Sequence, residues 1–144
     1  MKPKDYFTPD QQKQIVDAIE EAELNTSGEI RVHIDLTCKG DVLDQAAKTF
    51  AMLKMHKTKL RNGVLFYLSI QDHKFAILGD AGINAQVPEN FWENTKQVMF
   101  DKFKENNLAE GLVTGITLAG EQLKKYFPYK DDDINELDNN ISFG

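Results

Sequence analysis

Two apolar runs, Val64-Leu65-Phe66-Tyr67-Leu68 and Phe75-Ala76-Ile77-Leu78, are separated only by a short polar stretch around Gln71, Asp72, His73 and Lys74. This pattern constrains the chain most, because so short a connection between strand-like runs reads as a β-hairpin. A turn centred on Gln71 and Asp72 pairs Ile70 with His73, and hence Gly63 with Asp80. Upstream, Ile30, Val32, Ile34 and Leu36 alternate with Arg31, His33, Asp35 and Thr37, as in a strand with one apolar face. Between this strand and the hairpin, Leu43, Ala46, Ala47, Phe50 and Ala51 recur at helical spacing after the capping pair Gly40 and Asp41, with an end near Met55. Strand, helix, strand is a βαβ crossover, so the first two strands run parallel. The continuous apolar character of the second marks it as central.

A helix precedes this unit. Thr8, Pro9 and Gln11 form a cap, a first-turn proline and a capping box, and Ile15, Ala18, Ile19 and Ala22 form the buried stripe. After Pro88 the pattern is helical, first through Phe91, Trp92, Thr95, Val98, Met99 and Phe103, then through Leu112, Ile116, Ala119, Leu123 and Phe127, with a break at Lys104 to Asn107. The reading is an α/β domain over residues 1–128 and an acidic C-terminal tail over 129–144 that has little to bury.

At 144 residues the chain suffices for one core without a metal or disulfide. Its one cysteine, Cys38, rules out an internal disulfide and any multi-cysteine zinc site, as expected for a cytoplasmic protein. No apolar stretch approaches the roughly 20 residues of a membrane span, so no membrane insertion is expected, and Met1 to Asp10 lacks the apolar core of a signal peptide. A net charge of -6 argues against nucleic-acid binding. The one basic run, Lys54 to Arg61, reads as a solvated helix end.

The topology gathers polar residues on one rim. Gly28 and Glu29 open the first strand, Asn62 and Gly63 the second, and Gly79 and Asp80 end the third. Two carboxylates and an amide oxygen are hard ligands of the kind calcium and magnesium prefer, so Glu29, Asn62 and Asp80 are candidate metal ligands. The competing reading pairs Glu29 with Arg61 and leaves Asp80 and Asn62 to organise turns. The opposite rim holds Cys38, Asp41, Asp44, Asp72 and His73, where capping accounts for Asp41 and Asp44. In the tail, Asp131, Asp133 and Asn135 have calcium-loop spacing, but Glu136 stands where glycine is needed and Ser142 where glutamate is needed, which excludes an EF-hand. Two readings of the tail remain: a solvated acidic segment, or one that donates one or two carboxylates, from Asp132 or Glu136, to a site built elsewhere. His33 and His56 read as exposed, and with His73 they show no zinc spacing. No phosphate loop, dinucleotide fingerprint or serine elbow is present.

Ser27-Gly28-Glu29-Ile30, Arg61-Asn62-Gly63-Val64-Leu65, Gly79-Asp80-Ala81-Gly82-Ile83 and Trp92, in this order, resemble the TPM domain family, named after thylakoid-lumen, photosystem-repair and acetylcholine-receptor-associated proteins. The resemblance runs from about Thr8 to Phe127, and Asn135-Glu136-Leu137 is similar to the ending of the small soluble bacterial branch. It implies an α/β/α sandwich, and with the elements read above the expected fold is a three-layer α/β/α sandwich: a central mixed sheet, with a βαβ crossover followed by a β-hairpin, then two C-terminal helices. It also implies divalent-cation binding by loop carboxylates and, for some plant members, acid phosphatase activity. The implied cation site falls on Glu29, Asn62 and Asp80, with Asp132 and Glu136 as an extension from the tail. The expectation is a calcium- or magnesium-binding domain, with metal-dependent hydrolysis of a phosphate ester as a second layer. A noncatalytic module that recruits a protein partner is the alternative.

Overall fold

The computed structural model describes residues 1–130 and 135–144. Thr8 caps the first helix, α1 (Pro9–Glu23), through the expected capping box, its hydroxyl accepting from Gln11 N–H while the Gln11 side chain accepts from Thr8 N–H. Strand β1 (Glu29–Asp35) leads through α2 (Val42–Met52), capped by Asp41, into β2 (Gly63–Ser69) and β3 (Lys74–Gly79). Then follow α3 (Ala81–Gln86), α4 (Glu93–Lys104), α5 (Leu108–Leu123) and a two-residue β4 (Ser142–Phe143).

The sheet order is β3-β2-β1-β4, with β1 parallel to β2 and to β4 and β2 antiparallel to β3. Ser69 pairs with Lys74 and Val64 with Gly79, the register expected from a turn at Gln71 and Asp72, and Asp80 N–H extends it by donating to the Gly63 carbonyl at 2.9 Å. Every residue of β2 is buried, as a strand with a neighbour on each side and cover on both faces should be.

The two cores follow from strand alternation. Ile30, Val32, Ile34, Val64, Phe66 and Leu68 point to one face and meet α1, α4 and α5 through Ile15, Ile19, Met99, Leu112 and Ile116. Leu65, Tyr67 and Ala76 point to the other and meet Ala46, Phe50, Met55 and Leu137. The result is the three-layer α/β/α sandwich.

Three features differ from the sequence reading. The stretch after β3, to which the sequence reading assigns no helix, forms the short helix α3, because Asp80 caps it with a carboxylate accepting from Ala81 N–H at 2.7 Å. The tail, expected to bury little, brings Leu137 into the second core and closes the free edge of β1 with β4. His33, expected to be exposed on the polar face of β1, is only 2% exposed, because α2 and the returning tail cover that face. There its ring joins Ser142 Oγ at 2.8 Å and Asp35 Oδ1 at 2.8 Å and stacks on Tyr67, which donates to Asp35 at 2.6 Å. Burial, then the Asp35 carboxylate, pushes the Tyr67 hydroxyl upward in pKa.

Candidate cation site at the strand rim

The parallel register sets Glu29 opposite Gly63, and Glu29 N–H donates to the Asn62 carbonyl at 3.0 Å. Backbone pairing thus gathers Glu29, Asn62 and Asp80 around the start of β2. Their side chains then take different partners.

Asp80 is 6% exposed and forms a two-pronged pair with Arg61, Nε to Oδ2 and Nη2 to Oδ1, both at 2.7 Å. Burial pushes its carboxyl up in pKa, but the Arg61 guanidinium and the Ala81 N–H outweigh burial and hold it below the usual value. Arg61 therefore pairs with Asp80 rather than with Glu29. Its backbone lies in the left-handed region at φ 51° and its carbonyl accepts from Gly82 N–H at 2.9 Å, which packs α3 against the loop before β2.

Glu29 is 4% exposed, and its Oε1 accepts from Glu136 N–H at 2.5 Å and Leu137 N–H at 2.8 Å. One carboxylate at the first strand thereby anchors the chain end. Burial is the main cause raising the Glu29 pKa; the two N–H groups oppose it, and the Glu136 carboxylate alongside raises it further. Glu136 itself accepts from Lys59 N–H at 3.2 Å.

Asn62, next to Arg61 in the chain and joined to Glu29 through its carbonyl, is 3% exposed. Its Nδ2 donates to the Ser27 carbonyl at 2.7 Å, which fixes the amide orientation because that carbonyl needs a donor. Its Oδ1 is left fully buried with no hydrogen-bond partner among the described residues. An unsatisfied buried acceptor is costly and rare in native proteins. Asp132 lies outside the described residues, and among the described residues no three His, Cys, Asp or Glu side chains are grouped so as to hold a metal ion.

Sequence reasoning missed Glu20 and Glu23, which with Glu29 and Asn135 line a cavity of about 250 Å³ beside the rim. A signal was present: α1 ends in Glu20, Glu21 and Glu23 with no basic residue in its last turn, the unfavourable sign for a helix C-terminus. Glu23 Oε2 accepts from Ile30 N–H at 3.0 Å, closing the stretch of β1 edge that β4 does not reach. Burial, opposed by that N–H and reinforced by the charge of Glu29, pushes the Glu23 carboxyl up to about 7.

Because this pKa lies above the ordinary 4.5, the folded chain holds an extra proton between those values, and stability falls as pH rises through the interval. Glu23→Gln removes the penalty. Its stability relative to the parent, measured by urea unfolding, is expected to rise from pH 4.5 to pH 7 and then level, by up to about 3 kcal/mol. A difference constant across that range would contradict this account of Glu23.

On the opposite rim the polar residues are committed to structure. Asp41 accepts from Leu43 and Asp44 N–H groups at 2.8 and 3.1 Å, and Asp72 accepts from Cys38 N–H and from Ser69 Oγ. Cys38 is buried in the second core, while His73 lines an apolar cleft.

A mixed sheet between helix layers, with buried carboxylates and a short capped helix at one rim, defines an α/β/α domain whose distinctive chemistry lies at that rim. The chain matches the model of the TPM domain over residues 1–122 and belongs to that family. Among solved structures it is similar to the BA42 protein of the psychrophilic bacterium Bizionia argentinensis, at 52% identity over 96% of this chain and 95% of that one, with a TM-score of 0.91. The same fold appears in the N-terminal domain of a P. gingivalis protein at 17% identity, over 86% of this chain and 82% of that one, with a TM-score of 0.69. It appears also in the N-terminal domain of cg2496 from Corynebacterium glutamicum, at 12% identity over 80% and 72%, with a TM-score of 0.65. No curated protein sequence gives a significant match. Among the described residues no helix is long and apolar enough to cross a membrane.

Proposed function

We propose that this TPM domain binds a divalent cation, calcium or magnesium, at the rim where Glu29, Asn62 and Glu136 meet. The unpartnered buried Oδ1 of Asn62 carries this reading: it is an acceptor without a donor on a residue joined to Glu29 through the backbone, and the Glu29 carboxylate in turn lies close to that of Glu136, so a cation is a natural partner for this rim. Hard oxygen donors of this kind suit either ion. Asp80 belongs to the site as a brace, holding Arg61 and the loop that carries Asn62; to become a ligand it would have to release Arg61, whose side chain is half-exposed. Asp132 remains part of the proposal as a further carboxylate from the tail. The unpaired, buried Cys38 is compatible with a reducing, cytoplasmic setting.

Binding is tested by calorimetric titration of chelator-treated protein with calcium and with magnesium. Glu29→Gln and Glu136→Gln keep an acceptor oxygen but remove a charge, so both are expected to weaken binding while the fold persists. Unchanged affinity in both would reject the site.

Catalysis is a second layer. The adjoining cavity has room for a phosphate ester, and an ion bound at the rim would supply Lewis-acid polarisation of a phosphoryl oxygen. The residues that line the cavity offer Thr26 and Ser27 hydroxyls, of which Thr26 is committed to the Phe127 carbonyl. A chromogenic phosphate ester is expected to be hydrolysed only with added metal and not by Glu29→Gln. Inactivity alongside intact metal binding would favour the noncatalytic module, for which the docked tail, whose β4 forms one edge of the sheet, is the surface that would recruit a protein partner.

A further inference from the structure

We propose that the cleft between the β2–β3 turn and the α4–α5 turn binds a small amphipathic anion, with an apolar body and a carboxylate or phosphate head. The cleft lies on the rim opposite the cation site, beyond the carboxyl end of β2, the side of a parallel sheet where ligands commonly bind. Its volume is about 250 Å³, room for about eight water-sized groups at roughly 30 Å³ each. An adjoining basin of about 410 Å³ shares Ile70, His73, Asn106 and Leu108 with it, so a longer ligand can extend along the surface.

The walls are apolar and incompletely covered. Phe75 and Phe103 meet edge to face at 5.0 Å, both partly buried, with Leu108 beside them. Phe100 is 50% exposed on the same wall, although it carries a ring that the core could have taken. A mostly apolar concavity with a few polar groups at its mouth has the composition of a small-molecule site.

Charge selects the head group. The protein as a whole is at -6, yet no Asp or Glu is among the described residues that line the cleft. Lys104, exposed among the lining residues, has its Nζ 5.8 Å from the Phe100 ring centroid, and His73 and Asn106 add hydrogen-bonding groups to the lining. An apolar wall under a lone lysine accepts an apolar chain ending in an anion and disfavours one ending in a cation.

The test is an amide-shift titration of the full chain, without added metal, using octanoate, octyl phosphate, octanol and octylammonium. Octanoate and octyl phosphate are expected to saturate, shifting residues 68–75 and 100–108; their relative affinities decide between a carboxylate and a phosphate head. Octanol is expected to bind roughly fivefold more weakly, the worth of about one kcal/mol from one exposed charge, and Lys104→Met to bring octanoate down to the octanol value. Lys104 is exposed, so this variant leaves the core intact, and Phe100→Ala, equally superficial, is expected to weaken all the bound probes alike. Octylammonium binding as well as octanoate, shifts scattered over the surface, or no saturation would each overturn the proposal.

Discussion

Gly82→Ala is expected to be among the most damaging single-methyl changes in this chain, lowering the unfolding free energy by roughly 3 kcal/mol and the melting temperature by about 10 °C. A Cβ at this position would lie 2.1 Å from the Leu60 carbonyl oxygen and 2.6 Å from that of Arg61. Both obstacles are backbone, in a loop already held by the Gly82 N–H and by the left-handed conformation of Arg61. Gly115 makes the useful contrast: its added Cβ would be 2.4 Å from Met99 Sδ, but a flexible thioether can turn aside, so Gly115→Ala should cost less. Thermal unfolding of the two variants checks the order. If Gly82→Ala melted within a degree of the parent, the close approach of α3 to the Leu60–Arg61 loop would be wrong, and with it the brace assigned to Asp80.

Calcium or magnesium at about a hundred times its dissociation constant is expected to stabilise the fold by about 2.7 kcal/mol, raising the melting temperature by about 8 °C. The ion would relieve two costs of the metal-free rim, the unsatisfied Asn62 Oδ1 and the proximity of the Glu29 and Glu136 carboxylates. In Glu29→Gln the second cost is already absent, so that variant should be no less stable without metal and should gain little from it. The two melting curves, with and without ion against a chelator, separate a cation site from a merely buried carboxylate. An equal gain in parent and variant would assign the stabilisation elsewhere.

Much of the framework was legible in the sequence because it follows from local chemistry. The Thr8–Gln11 capping box, the Asp41 cap and the hairpin register each depend on a few adjacent residues, and parallel pairing follows from the helix between β1 and β2. The site was legible only in part. Register could bring Glu29, Asn62 and Asp80 to one rim, but not show that Arg61 turns to Asp80. Nor could alternation reveal that the polar face of β1 is covered, since part of the cover comes from a tail more than a hundred residues downstream whose sequence looks solvated. His33 was misread for that reason, and Glu23 went unseen because its partners, Ile30 N–H and Glu29, lie across a chain reversal. The acidic end of α1, at odds with its own dipole, was the available clue.

The central claim is that a cation joins the first strand, the loop before the second and the chain end at one rim. Mapping amide chemical shifts of chelator-treated protein during calcium addition tests it most directly. Saturable shifts are predicted at residues 27–29, 58–63 and 136–137, with smaller ones at 80–82 through the Arg61–Asp80 brace. Shifts centred on residues 38–44 and 69–73, or no saturable change at millimolar calcium, would contradict it.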